Sequence, residues 1–301
     1  MTPTVPQSNH GPSAIEFRHV SLAFDDKPAL IDVSFRLPPG EMICLTGESL
    51  SGKSVLLKLS VGLLQPDQGQ VLVDGRDINA LTEIELLELR RGSMGVVFQD
   101  SSLFTGLSVY ENAAYRLTEA GLSEEEVESG AMGILRFVGL DLDADKLPEE
   151  LSIGMRRRLE FARAMAGWPR IMLFDEPVTG LDPINARNLL DLVVRARDIH
   201  NVSSILVTKE SWEIRYVSNR RAVKDESGEV RLIAGSRSIT GVEVMVLDSG
   251  RIAFSDTPDA FASSQLRAVT RITKGIQGSS DLSARLRDPW SHTRRRRSKV
   301  L

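Results

Sequence analysis

MICLTGESLSGKS, residues 42–54, decides the fold. MICLTG is a short, continuous run of mostly apolar residues closed by a glycine, the pattern of a strand buried on both faces. SVLLKLSVGLL then takes up helical spacing and stops before Pro66. Between them stands GESLSGKS, which fits G-x-x-x-x-G-K-S. In this setting the backbone N–H groups from Gly47, Glu48, Ser49, Leu50, Ser51 and Gly52 into Val55 would wrap a β-phosphate. The helix start adds a favourable partial charge. Lys53 would reach the β- and γ-phosphates, and Ser54 would ligate Mg²⁺. Leu50 stands where such loops are often glycine; at positive φ it would cost about 1–3 kcal/mol.

Working outward, strands and helices alternate. IEFRHVSLAF and ALIDVSFRL read as half-buried strands, and QVLVDG as a strand ending in a turn. TEIELLELR is a charged amphipathic helix, MGVVFQ a buried strand, and residues 100 to about 165 are mostly helical. RIMLF and SSILVT are buried strands on either side of the helix ARNLLDLVVRARDI. This alternation predicts a parallel sheet. Residues 222–254 hold short strand-like runs, with an added hairpin expected around KDESGEVRLIAG.

The composition excludes several classes. At 301 residues the chain buries a large core. The net charge of −4 gives the molecule as a whole no bias toward nucleic acid, and no such partner is expected. Cys44 is the single cysteine, so no internal disulfide forms, which fits a reducing cytosol. No run of about 18 apolar residues predicts a membrane span. Residues 1–13, MTPTVPQSNHGPS, lack the basic and apolar regions of a signal peptide and read as a disordered leader.

The second chemical motif is IMLFDEP, residues 171–177. Its apolar residues predict a core strand with two acids at its C-terminal end. Asp175 would hold Mg²⁺ through its water, and Glu176 would orient and deprotonate an attacking water. Alone, such a pair also suits a solvated turn; the loop at Lys53 favours the chemical reading.

With these motifs in this order, residues 14–265 resemble the ATP-binding cassette (ABC) ATPases. Gln99 in VVFQD resembles the family's Q-loop glutamine, which contacts Mg²⁺ and senses a membrane partner. LSIGM, residues 151–155, resembles the signature LSGGQ, with Ile153 for a glycine and Met155 for the glutamine. Asp182 in GLDP matches the D-loop. Phe24 lies where the family places an aromatic that stacks on adenine, although an aromatic on a strand also suits a core. The resemblance implies an α/β P-loop fold with an antiparallel β subdomain and a helical signature subdomain at about 101–165. It implies ATP and Mg²⁺ as ligands and a head-to-tail dimer. Ser152 and Gly154 of one chain would then donate to the γ-phosphate held by the other, a helix N-terminus binding an anion.

RRGSMGVVFQDSSLF, SVYEN and the Gly-Met of the signature resemble more narrowly the ATPases of Mce/Mla-type lipid transporters. That implies a hydrophobic cargo, a separate permease, an MCE-domain lipid-binding protein, and a peripheral place on the cytoplasmic face of the inner membrane. Importers of amino acids share part of the pattern. A non-transport or regulatory ABC protein with weak hydrolysis is a further alternative. The family's histidine after strand SSILVT is replaced, since VTKE carries Lys209. Histidine both donates and accepts, whereas lysine only donates and stays charged, with a reference pKa of about 10.4. Slow hydrolysis is expected.

Leu103, Phe104, Leu107, Val109 and Tyr110 form an apolar cluster after Gln99, suited either to local core or to permease contact. The extension 266–301 ends in SARLRDPWSHTRRRRSKVL. Its basic run Arg294–Arg297 with Lys299 suits a solvated tail, anionic lipid or nucleic acid, and Trp290 an anchor for a cross-subunit arm.

Overall fold

The computed structural model describes residues 12–235 and 240–274. Most of the leader and the basic tail with Trp290 lie outside the described residues. In chain order, a hairpin of β1 (Ile15–Phe24) and β2 (Lys27–Leu37) leads into β3 (Met42–Thr46) and α1 (Lys53–Ser60). Next come β4 (Gln68–Val73), β5 (Arg76–Asp77), α2 (Glu83–Ser93) and β6 (Met94–Val97). A helical stretch follows, with α3 (Val109–Glu119), α4 (Glu124–Val138) and α5 (Ile153–Met165). Then come β7 (Ile171–Asp175), α6 (Pro183–His200), β8 (Ser203–Val207) and α7 (Ser211–Ser218). The last elements are β9 (Arg220–Lys224), β10 (Val230–Ala234), β11 (Val242–Asp248), β12 (Arg251–Asp256), α8 (Pro258–Ser263) and α9 (Arg267–Lys274).

The central sheet has the order β12-β11-β3-β8-β7-β6. From β11 to β6 every pairing is parallel; β12 joins β11 antiparallel. Every residue of β3, β7 and β8 is buried, because the sheet is covered on both faces. Alternate side chains feed two cores. Met42, Cys44, Met172, Phe174 and Leu206 join helices α3–α6 on one face. Ile43, Leu45, Ile171, Leu173, Ile205 and Val207 join α1, α2 and the antiparallel sheet β2-β1-β4-β5 on the other. Phe17 and Phe35 stack across that second sheet with ring centroids 4.7 Å apart.

Helix starts follow local chemistry. Thr82 with Glu85, Ser108 with Glu111 and Ser123 with Glu126 each close a capping box. Such a cap stabilises a helix by about 0.5–2 kcal/mol. β9 and β10 form the expected hairpin. Regular structure also runs past residue 265: α9 packs near β11 and β12 with Val269 fully buried.

Helix α5 approaches β6 closely at Gly95, where a Cβ would overlap the Ala164 carbonyl oxygen and Met172 Sδ. Gly95→Ala is therefore expected to destabilise the fold by about 1–3 kcal/mol, read as a lower urea midpoint. An unchanged midpoint would show that α5 can give way.

Candidate nucleotide-binding site

The site is assembled by strand ends. Val207 on β8 is in register with Leu45 of β3 on one side and Asp175 of β7 on the other. Beyond the strands, Glu176 N–H donates to the Val207 carbonyl at 3.1 Å and Thr208 N–H to the Leu45 carbonyl at 3.0 Å. The three strands thus end level. The segments after them, beginning at Gly47, Glu176 and Thr208, stand side by side at the carboxyl edge of the sheet, where open α/β folds hold ligands.

After β3 the loop turns through Leu50 at φ 64 and Gly52 at φ 105. Leu50 is fully exposed, so no packing offsets a left-handed backbone cost of about 1–3 kcal/mol. Gly52 is the N-cap of α1, and a Cβ there would collide with the Ala29 carbonyl oxygen and the Leu30 side chain on β2. The antiparallel sheet therefore abuts the loop. Phe24, at the tip of the β1–β2 hairpin, is 46% exposed and not part of a core. Lys53 is buried; its Nζ donates to the carbonyls of Gly47 at 2.8 Å and Glu48 at 2.7 Å. Burial holds its pKa below the usual lysine value, with the nearby Lys209 charge acting in the same direction. Arg271 on α9 reaches the same loop, 3.5 Å from the Glu48 carboxylate.

At the end of β7, the Ser54 side chain faces the Asp175 carboxyl. Burial raises the pKa of Asp175, and the Ser54 contact opposes that rise. Asp175 Oδ1 is shielded and has no partner. A hydroxyl and a carboxylate with an unused oxygen are hard donors of the kind Mg²⁺ takes. Glu176 follows at φ 49, an unusual backbone for a glutamate. Its Oε1 lies 2.7 Å from Lys209 Nζ, and its Oε2 accepts from the Thr179 hydroxyl at 3.4 Å. Lys209 is half-exposed while Glu176 is buried. Sequence reading singled out both residues but not their contact.

Ser152 is the N-cap of α5, its Oγ accepting from Met155 N–H at 3.2 Å. Gly154 is buried against α6, where a Cβ would overlap the Asn185 side chain. Asn185 in turn donates to Asp182, the N-cap of α6. Signature and D-loop positions are thus joined within one chain. Among the described residues, no hydrogen bond or ion pair links 151–155 to 47–54. Gln99 is exposed beyond β6, and its carbonyl accepts from Arg157 Nη2 at 2.8 Å. Arg157 also pairs with buried Glu160 at 2.7 Å, so it ties the Gln99 segment to the signature helix. The sequence showed only a run of arginines there. In the cluster after Gln99, Val109 is core, whereas Leu103, Phe104, Leu107 and Tyr110 are half-buried. Arg163 lies over the Phe104 ring at 4.2 Å.

Behind the Lys209 segment lies Glu213 on α7, a buried carboxyl with an unpartnered Oε2. Its pKa is pushed up to about 8, chiefly by burial; a Thr208 hydrogen bond opposes the rise, and the charges of Glu210 and Glu176 add to it.

A phosphate-type loop between a buried strand and a helix, with paired acids on a neighbouring strand end, defines a P-loop nucleotide-binding protein. Residues 30–179 match the family model described as ABC transporter. The chain is 36% identical over 206 residues to the intermembrane phospholipid transport system ATP-binding protein MlaF of Haemophilus influenzae, covering 68% of this chain and 78% of that one. It belongs to the ATP-binding proteins of the ABC transporter family. It is also 35% identical over 215 residues to the methionine import ATP-binding protein MetN 1 of Paraburkholderia xenovorans, covering 70% of this chain but only 62% of that relative's length. Among solved structures, the dimeric post-hydrolysis state of the ATP-binding cassette MJ0796 bound to ADP and Pi matches with a TM-score of 0.67. Identity there is 25%, over 81% of this chain and 98% of that one.

Glu213 carries a pH signature. Its pKa is about 8 in the fold against an ordinary value of 4.5, so between these limits unfolding releases a proton. Stability then falls as pH rises through that window and levels off above it. Glu213→Gln is expected to flatten this slope in urea titrations; an unchanged slope would place the titration elsewhere.

Proposed function

We propose that this chain is the ATP-hydrolysing subunit of a membrane transporter that moves a hydrophobic cargo of the phospholipid class through a separate permease. The observation that carries the ATPase reading is the convergence of Lys53 and Ser54 after β3 with Asp175 and Glu176 at the end of β7, two strands held level by β8 between them. On this reading the loop amides 47–55 cradle the phosphates, and Lys53 leaves its carbonyl partners for phosphate oxygens. Ser54 and Asp175 would hold Mg²⁺, with Gln99 as a further ligand, and the ion would supply positive charge to the phosphates. Glu176 takes a proton from the attacking water. Phe24, exposed at its hairpin tip, offers a face for adenine.

The second half of the site comes from a second copy. The Ser152 oxygen accepts from Met155 N–H, which leaves its hydrogen free to donate. With Gly154 N–H and the start of α5, it meets the γ-phosphate held across a head-to-tail dimer. Asp182 stands at that same face, on the D-loop. Among the described residues no helix is long and apolar enough to cross a membrane, consistent with a permease on a separate chain. The Gly-Met signature and the likeness to a phospholipid transport protein support the lipid cargo, an MCE-domain partner and a peripheral place at the cytoplasmic face. The likeness to a methionine import protein supports a small-solute importer as the second reading.

Lys209 sets the rate. Its ion pair occupies one oxygen of Glu176, and that oxygen can reach the attacking water only when the pair opens. Lys209→His is expected to raise ATP turnover about tenfold, a barrier change near 1.4 kcal/mol. An unchanged or lower turnover would count against this role. The cargo reading is tested by capturing Glu176→Gln from native membranes in mild detergent with Mg·ATP. A permease with an MCE-domain protein and bound lipid is expected. A permease with a solute-binding protein would replace the cargo, and capture of no membrane protein would refute the transporter.

A further inference from the structure

A second recess lies on the helical face of the sheet, away from the strand ends. Its walls are the end of α4, the middle of α6, Arg158 on α5 and the β9–β10 hairpin. It is an open depression of about 330 Å³ and adjoins a smaller one of about 210 Å³, the two sharing Arg136, Phe137, Arg195 and Val230. The floor is apolar, built from Phe137, Val138, Leu192, Val230 and Leu232. The rim is cationic, with Arg136, Arg158 and Arg195 on the larger recess and Lys224 on the smaller.

The charge of Arg195 is partly offset by Asp191 in the same lining, and that of Arg158 by Asp143. Among the described residues, none of Arg136, Arg195 and Lys224 has a carboxylate at ion-pair distance. Arg195 lies 5.8 Å from the centroid of the Phe137 ring. Arg158 spends Nη1 on the Val138 and Gly139 carbonyls at the end of α4, but its Nε is shielded from solvent without an acceptor. The two carbonyl bonds fix the Arg158 guanidinium at the wall of the recess. The one acid in the lining, Asp191, accepts from the Tyr216 hydroxyl at 2.8 Å.

We infer that this recess binds a phosphate-bearing ligand with an apolar body. Guanidinium groups match phosphate oxygens in geometry as well as charge, and the floor takes the apolar part. Bound there, the ligand would bridge α4, α6 and the hairpin. The inference does not depend on which cargo is transported.

The reporter is Trp168. Its indole stacks on His200 of the smaller recess at 3.9 Å and meets the Phe137 ring edge-on at 5.4 Å. Dihexanoyl phosphatidic acid and inorganic phosphate are titrated separately into the full chain carrying Lys53→Ala, which disables the phosphate loop. Tryptophan fluorescence is followed, and Trp168→Phe identifies its source. The expected result is a saturable change from Trp168 that weakens about tenfold or more in Arg136→Glu/Lys224→Glu. Both of those residues are exposed, so the fold should tolerate the change. Tighter binding of the acyl-bearing probe supports the inference and assigns the site to a lipid; equal binding of inorganic phosphate would show that the floor contributes nothing and would overturn the apolar body. Absence of saturable binding by either probe, or binding unaffected by the double charge reversal, overturns the inference.

Discussion

Everything in this molecule that could act on a nucleotide depends on the parallel pairing of β3, β8 and β7. Val207, at the end of the middle strand, is registered to Leu45 on one side and Asp175 on the other. The register is fixed by the two cores. Along β7, Met172 and Phe174 enter the helical core while Ile171 and Leu173 enter the opposite one. A slip of one residue would exchange those faces. Packing therefore sets the height at which the phosphate-type loop, the acid pair and Lys209 emerge, and no separate device is needed to align them.

What emerges is a small electrostatic cluster with two lysines and two carboxylates. Lys53 is held by backbone carbonyls and Lys209 by Glu176, while Asp175 keeps one oxygen free. Two residues of this region, Leu50 and Glu176, stand at positive φ. Residues persist in such conformations where the surrounding structure over-determines them. Under the proposed function the Lys209–Glu176 pair is a brake on the base: ATP still binds and closes the dimer, and the slow step is proton removal from water.

Much of this was legible in the sequence, for a physical reason. GESLSGKS and IMLFDEP are local patterns in which a buried strand, a turn and its chemistry fall within a few residues. Lys209 was conspicuous as a substitution, but its partner was not, because that contact depends on strand order across the sheet. The arginines after the signature were harder still. Arg157 bonds to the Gln99 carbonyl and Arg158 to the end of α4. Those acceptors are backbone groups remote in sequence and carry no side-chain mark. Helix α9 was missed because its apolar stripe, Ala268, Val269 and Ile272, spans only about two turns and lacks the length that makes a helical pattern stand out.

The central claim is that one chain supplies the phosphate loop and a second copy supplies Ser152 and Gly154. The most direct test is light scattering of purified Glu176→Gln with Mg·ATP, with bound nucleotide measured on the same sample. The account predicts that the mass doubles as ATP saturates the site and returns to one chain when Ser152 and Gly154 are replaced by Arg and Asp. Full ATP occupancy at the mass of a single chain would contradict it.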